Sequence, residues 1–280
     1  MLQLVMNSLA KSTRKAYARA WEEFLGSRAR RRVRQEEVVE DVVQFIMGLI
    51  EKGQTRVTIA GKLAALGFMG KLLWGYLPSA GELGQKILNG WARELGVTGR
   101  VRHPISVALL KLLFPVLGDV CHDARKAMLF LTFMSWLFFG AFRVSELLGL
   151  PGHSGILWSE VQPGEEGVVV VIRKSKTDQK GVGATVLLRR YPARSICPGL
   201  LERRLRMEKG PLDGPVFCHA EGFRVTASQL LGVLRRGLSR LGLDASRFGT
   251  HSFRIGVATE AGNKGWGREE LKALGRWRSD

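Results

Sequence analysis

The sequence predicts a mainly helical chain in two domains, with one small β-sheet set into the second. Three observations carry this. Apolar residues recur at helical spacing through residues 1–98, a polar stretch marked by glycine and proline follows, and two short β-branched runs stand alone in an otherwise helical second half. At 280 residues with 45% apolar content, the chain is long enough to bury two cores. The expected boundaries are a helical bundle over 1–98, a linker over 99–104 and an α+β domain over 105–280.

Each element has its own signal. Ser12 and Thr13 open the first helix, and Tyr17, Ala20, Trp21 and Phe24 then follow its apolar side. The cluster Arg28 to Arg34 (RARRRVR) reads as a loop or an exposed helix edge. Val38 to Ile50 forms a second helix that ends near Gly53, and Thr58 to Trp74 a third, with Ile59, Leu63, Leu66 and Leu72 as its apolar positions. Leu83 to Leu95 gives a fourth. From Ile105 the pattern stays helical as far as Leu150, where Pro151-Gly152 breaks it. Within that run Ala127 to Phe142 is almost wholly apolar. It is shorter than the about 20 residues a bilayer span needs, so a buried core helix is expected. Gly167 to Ile172 and Gly183 to Leu188 read as two strands around a turn from Ser175 to Val182. After Pro198 helices resume over Leu200–Met207, Ala227–Gly237, Ser252–Ala261 and Glu269–Leu274.

Charge narrows the partner. The formal net charge is +18, and the excess is spread along the chain: 16 Lys and Arg against 9 Asp and Glu in residues 1–100, and 27 against 16 in the rest. Two basic folded halves suit a polyanion, nucleic acid above all, with an affinity that falls with salt. Cys121, Cys197 and Cys218 are an odd number at irregular spacing without a Cys-x-x-Cys pair, which points to neither a disulfide scaffold nor a zinc site. A reducing intracellular compartment fits, no signal-peptide arrangement opens the chain, and no membrane partner is expected.

Chemistry concentrates in four places. His251-Ser-Phe-Arg254 puts an imidazole and a guanidinium at i and i+3, on one face of a helix, a pairing suited to an oxyanion and to phosphate most of all. Arg143-Val-Ser-Glu146 follows the apolar run. Lys174-Ser-Lys176-Thr-Asp178 lies in the hairpin, and Gly275-Arg276-Trp277 lies beyond a last helical pattern. Each has a duller explanation. Arg143 is also what a helix end attracts, Glu146 pairs with some arginine whatever the function, and Trp277 alone is most often core. An isolated His-x-x-Arg is a common accident, and Arg173, Lys174 and Lys180 crowd Lys176 on the same hairpin.

Taken together and in order, Arg143 with Glu146, Lys176 on a hairpin, His251-x-x-Arg254 and Leu274-Gly275-Arg276-Trp277 resemble the tyrosine recombinase (phage integrase) superfamily. The Gly-Arg-Trp-x-Ser-Asp phrasing is most similar to eukaryotic DIRS-, Ngaro- or Crypton-type transposon recombinases. The resemblance implies a helical core-binding (SAM-like) bundle followed by the family's catalytic domain. It implies that Arg143 and Arg254 bind the non-bridging oxygens of a scissile phosphate and that His251 hydrogen-bonds the same group. Lys176 would protonate the departing 5′-oxygen, Trp277 would pack on the site with its indole N–H, and Glu146 would hold Arg143 without touching DNA. No metal and no other cofactor is called for. The implied partners are double-stranded DNA and further copies of the chain, as a tetramer on paired DNA sites. Lys11, Arg14, Lys15, Arg28, Arg30, Arg31, Arg32, Arg56 and Lys174 are candidate phosphate contacts. Arg28 to Arg34 also suits a nuclear import signal, so a nuclear location is expected if the host is eukaryotic.

One departure matters. The family's nucleophile is a tyrosine about two and a half helical turns beyond the Trp277 position. The three tyrosines, Tyr17, Tyr76 and Tyr191, all lie far upstream of that point and read as packing residues. The expectation is therefore a sequence cut short before its nucleophile, unable to cleave DNA alone. The rival on the same fold is a non-catalytic DNA-binding remnant or regulator. A basic RNA-binding protein is the rival from another class, without a Gly-x-x-Gly loop in a suitable context or an aromatic strand motif to support it.

Overall fold

The computed structural model describes residues 2–27, 37–75, 78–94, 102–150, 153–173, 178, 182–193, 195–209 and 213–276. Two compact units divide the chain, Met1–Gly99 and Arg100–Asp280.

The first unit holds α1 (Leu2–Asn7), α2 (Lys11–Ser27), α3 (Glu37–Glu51), α4 (Arg56–Trp74) and α5 (Pro78–Glu94). The six residues of α1 are too few to show a period, so periodicity gives no sign of it. Ser12 and Thr13 fall within the first turn of α2 and do not cap it. In α4 the cap is Thr55, whose hydroxyl accepts from the Thr58 amide at 3.3 Å, and the helix stops at Gly75 in the left-handed conformation. Phe24, Ile46, Leu49, Ile59, Leu66 and Leu88 meet in one core, with Phe24 edge-on to Phe45. Tyr17 packs against Phe68, its ring centroid 5.5 Å away.

In the second unit the run expected to be helical from Ile105 to Leu150 is three helices: α6 (Val107–Cys121), α7 (Ala124–Phe139) and α8 (Val144–Leu148). His122 turns left-handed (φ 52°) and ends α6; the next residue, Asp123, caps α7 by accepting from the Arg125 and Lys126 amides at 2.8 and 3.3 Å. So short a turn leaves apolar residues close on both sides, which is why periodicity passes over it. A two-residue ladder pairs β1 (Gly149–Leu150) with β2 (His153–Ser154). The antiparallel sheet then runs β3 (Val161–Pro163), β4 (Gly167–Ile172) and β5 (Ala184–Arg189) in that order, with Val170 opposite both Val161 and Val186. Only β4 and β5 carry a sequence signal, since three residues of β3 are too few to alternate. Four helices complete the unit: α9 (Pro198–Lys209), α10 (Ala227–Arg240), α11 (Ser252–Asn263) and α12 (Arg268–Gly275).

Helix α7 is the spine. Every residue from Leu129 to Phe138 is buried, and Phe133 stacks on Phe217 at 4.4 Å while Trp136 meets the same ring edge-on. Burying each such side chain stabilises the fold by about 1.5–3 kcal/mol. Two hydroxyls set its register against the neighbouring chain, Ser135 donating to the Ile196 carbonyl at 2.8 Å and Thr132 to the Leu201 carbonyl at 3.4 Å. Among the described residues no helix is long and apolar enough to cross a membrane.

Candidate active site

The site forms where α7 gives way to α8. Gly140 ends α7, and the Phe142 ring occupies the space a side chain there would need, since an added Cβ would sit 2.1 Å from its Cε2. Ala141 follows with φ 46°, a left-handed conformation that few non-glycine residues adopt. This elbow aims two backbone carbonyls, of Gly140 and Ala141, at side chains arriving from the C-terminal helices. It also delivers Arg143 to the N-cap of α8.

Glu146, on the first turn of α8, is 3% exposed. Its Oε2 accepts from the Arg143 amide at 2.9 Å, and its Oε1 accepts from Arg143 Nη1 at 2.9 Å. Oε2 also accepts from Arg276 Nη2 at 3.0 Å. A buried carboxylate this well satisfied is a rigid bracket: it fixes where the Arg143 guanidinium sits, and the Arg143 side chain stays partly exposed at 21%.

Arg254 comes from α11 and is itself buried. Its Nη1 donates to the Ala141 carbonyl and its Nη2 to the Gly275 carbonyl at 2.8 Å, so one fork ties α11 to the elbow and to the end of α12. Burial first, then Arg143 and Arg276, pull its pKa down to about 10, against the upward pull of Glu146; it stays charged at neutral pH. His251 stands at the N-cap of α11 with its ring exposed. The shared helical face expected for His251 and Arg254 is thus realised across a helix start, the imidazole at the surface and the guanidinium beneath it. Burial of its inner edge, then Arg254, Arg102 and Arg143, lower the His251 pKa. A neutral imidazole among guanidiniums, with one carboxylate between them, is an electropositive cluster suited to an anion.

Two members of this cluster have no role assigned from sequence. Arg276, left-handed at the end of α12, donates to the Gly140 carbonyl at 3.1 Å and the Ala141 carbonyl at 3.2 Å, and its guanidinium carbon lies 5.2 Å from the centre of the Phe142 ring. It stands inside the Gly275-Arg276-Trp277 motif, yet only folding reveals that its side chain turns back to Glu146. Arg102 lies in the stretch read as linker, where nothing but its charge marks it.

The remaining candidates divide by place. Lys174, Lys176 and Trp277 lie outside the described residues, as do Arg28, Arg30, Arg31 and Arg32. On the same hairpin Arg173 is ion-paired to the buried Glu160, and Asp178 accepts from the Val182 and Gly183 amides at 3.1 and 2.7 Å, closing the turn. In the first unit Lys11 and Lys15 are exposed on α2. Arg14 donates to Asn7 Oδ1 at 2.6 Å, and the exposed Arg56 donates to Asn89 Oδ1 at 2.5 Å. Tyr191 packs on Phe139 at 4.8 Å, and Tyr76 lies outside the described residues.

Residues 113–280 match the model of the phage integrase family. The integrase/recombinase xerD homolog of Selenomonas ruminantium is 27% identical over 270 residues, covering 91% of this chain and 74% of that protein. Among solved structures, a lambda integrase tetramer bound to a Holliday junction aligns with TM-score 0.67 at 12% identity, over 99% of this chain and 74% of that one. The XerH site-specific recombinase, bound to a palindromic difH substrate in a post-cleavage complex, aligns with TM-score 0.62 at 14% identity over 85% of this chain. The chain spans 63% of the length of that XerH chain.

Proposed function

Because the chain belongs to the phage integrase family, the tyrosine recombinases, we propose that it binds duplex DNA and grips a scissile phosphate between Arg143, His251 and Arg254 for site-specific recombination. The observation that carries this is the convergence of three guanidiniums and an imidazole on the α7–α8 elbow, with Glu146 as the carboxylate that brackets them. Arg143 and Arg254 bind the non-bridging oxygens and stabilise the charge that builds up as phosphorus becomes five-coordinate, which is the work a metal ion would otherwise do. His251 hydrogen-bonds the same phosphate. By the family resemblance, Lys176 would protonate the leaving 5′-oxygen as the P–O5′ bond breaks, and Trp277 would offer its indole N–H to the site. A tyrosine oxygen forms the new bond to phosphorus and loses its proton.

That tyrosine is not one of the three in these 280 residues. Tyr17 and Tyr191 are committed to aromatic packing, and Tyr76 belongs to the first unit's sequence. The polypeptide of 280 residues therefore binds DNA without cleaving it by itself. A second reading on this fold is a non-catalytic DNA-binding remnant or regulator. Assembly as a tetramer on paired duplexes follows the lambda integrase precedent. The kinship with DIRS-, Ngaro- or Crypton-type elements rests on the Gly275-Arg276-Trp277 phrasing, and a nuclear location in a eukaryotic host follows from a DNA substrate.

A nicked suicide duplex with randomised flanks, incubated with the chain, tests this on paired native and denaturing gels. The expected outcome is a mobility shift in the native gel and no covalent band in the denaturing one. A covalent band would show a nucleophile within the 280 residues; absence of any shift would remove the DNA reading altogether.

A further inference from the structure

Arg102 precedes α6, and its segment is fastened along the loop that leads into α11. His103 donates its amide to the Arg247 carbonyl at 2.9 Å, and Ile105 donates to the Ser252 carbonyl at 3.0 Å. The His103 ring meets Phe248 edge-on at 5.6 Å. Held this way, Arg102 lays its guanidinium on Gly249, two residues before His251. A Cβ built on Gly249 would fall 1.9 Å from Arg102 Nη1, so the guanidinium lies directly against the Gly249 backbone. The Arg102 side chain is exposed, and it makes no hydrogen bond or ion pair with any described residue.

We propose that Arg102 is a further phosphate-binding residue of this site, gripping the DNA backbone beside the phosphate held by Arg143, His251 and Arg254. The proposal rests on the DNA-binding role given above. With Arg143 and Arg254, Arg102 is the third guanidinium acting on His251, a crowding of positive charge that costs repulsion unless an anion arrives. Glu146, the buried carboxylate of the cluster, already serves Arg143 and Arg276. Arg102 is close enough to act on the His251 imidazole, so an anion that His251 and Arg254 share lies within its field. Successive phosphates of one strand are spaced about 3.4 Å along the duplex axis, which puts a neighbouring phosphate within reach of a cation flanking the first. The exposed fork of an arginine then supplies two parallel donors to it.

The test is a salt titration of the full chain on a mixed-sequence duplex, read by fluorescence anisotropy, for wild type, Arg102→Ala, Arg102→Lys and Arg143→Ala. With Arg102 on a phosphate, Arg102→Ala weakens binding by about tenfold at low salt and makes the slope of log K against log salt shallower by about one. Arg102→Lys, which keeps the charge, retains the wild-type slope. An arginine that merely braces the loop would leave the slope unchanged, and that result, with Arg143→Ala still binding weakly, overturns the role of Arg102 alone. If Arg143→Ala and Arg102→Ala both bind like wild type, the phosphate site itself is wrong and this proposal falls with it.

Discussion

His251 and Arg254 sit three residues apart and answer pH in different ways. Burial and then the neighbouring Arg254, Arg102 and Arg143 hold the His251 pKa below its ordinary 6.5, so the imidazole is neutral at physiological pH. In the proposed complex a bound phosphate would reverse that Coulomb balance and favour the imidazolium, so duplex binding would take up a proton. Affinity should therefore strengthen as pH falls from about 8 toward about 6, and the trend should flatten in His251→Gln; a wild-type affinity independent of pH over that range would refute the phosphate contact. Stability of the free protein runs the other way. The unfolded chain takes the proton first, so the contribution of His251 is complete above 6.5 and is lost as pH falls through the lowered folded value. Arg254 keeps its charge throughout, and to the fold it offers shape as well. Lysine cannot reach the Ala141 and Gly275 carbonyls together, so Arg254→Lys should destabilise the second unit by about 2–4 kcal/mol in denaturant titration. The motif residues are legible in the sequence because their spacing is local. The side chain of Arg276 is not, since its partners Gly140, Ala141 and Glu146 lie more than 100 residues away in sequence and only the fold assembles them.

At the scale of elements, the close approach of α11 to the segment before α6 decides whether the cluster exists. A Cβ on Gly256 would stand 1.8 Å from the Ile105 carbonyl oxygen, and the obstacle is backbone, which cannot swing aside as a side chain can. Gly256→Ala should cost about 1–3 kcal/mol or more and push His251 away from Arg143. A thermal melt indistinguishable from wild type would show that the two elements do not press together this closely. Nothing in the sequence flags this approach, because Gly256 lies within a good helical pattern and Ile105 beside a stretch whose glycines and proline suggest a linker. The apolar run of α7 is the opposite case. Its length and composition read as core, and it is core, with Phe133 and Trp136 fully buried. Phe133→Ala should accordingly lower stability by about 3–5 kcal/mol, measured by chemical denaturation. Its ends are harder to read. The chain turns at His122 and Ala141 in left-handed conformations without a glycine at either position, so the usual sequence marker for such a turn is missing.

Across the whole molecule charge is the organising quantity. Lys and Arg outnumber Asp and Glu by 15 to 9 in residues 1–99 and by 28 to 16 in residues 100–280, so each unit is basic by itself. Few of these cations are neutralised by buried acids. Glu146, Glu160 and Glu202 are the buried carboxylates among the described residues, and each is engaged by arginine: Arg143 and Arg276, Arg173, and Arg206. Among the described residues most of the surplus is thus left unmatched by buried acids, and in the proposed complex it would attract the polyanion and release counterions on contact. If both units touch the backbone and together neutralise about six to ten phosphates, affinity should fall by about a thousandfold to a hundred-thousandfold between roughly 50 and 200 mM salt. A slope worth only two or three phosphates would confine the grip to the Arg143–His251–Arg254 cluster and leave Lys11, Lys15 and Arg56 as solvated surface charge. The two outcomes separate at the level of single variants. In the first, replacing Lys11 and Lys15 together by alanine makes the slope shallower by about two. In the second it changes nothing, while Arg143→Ala still weakens binding.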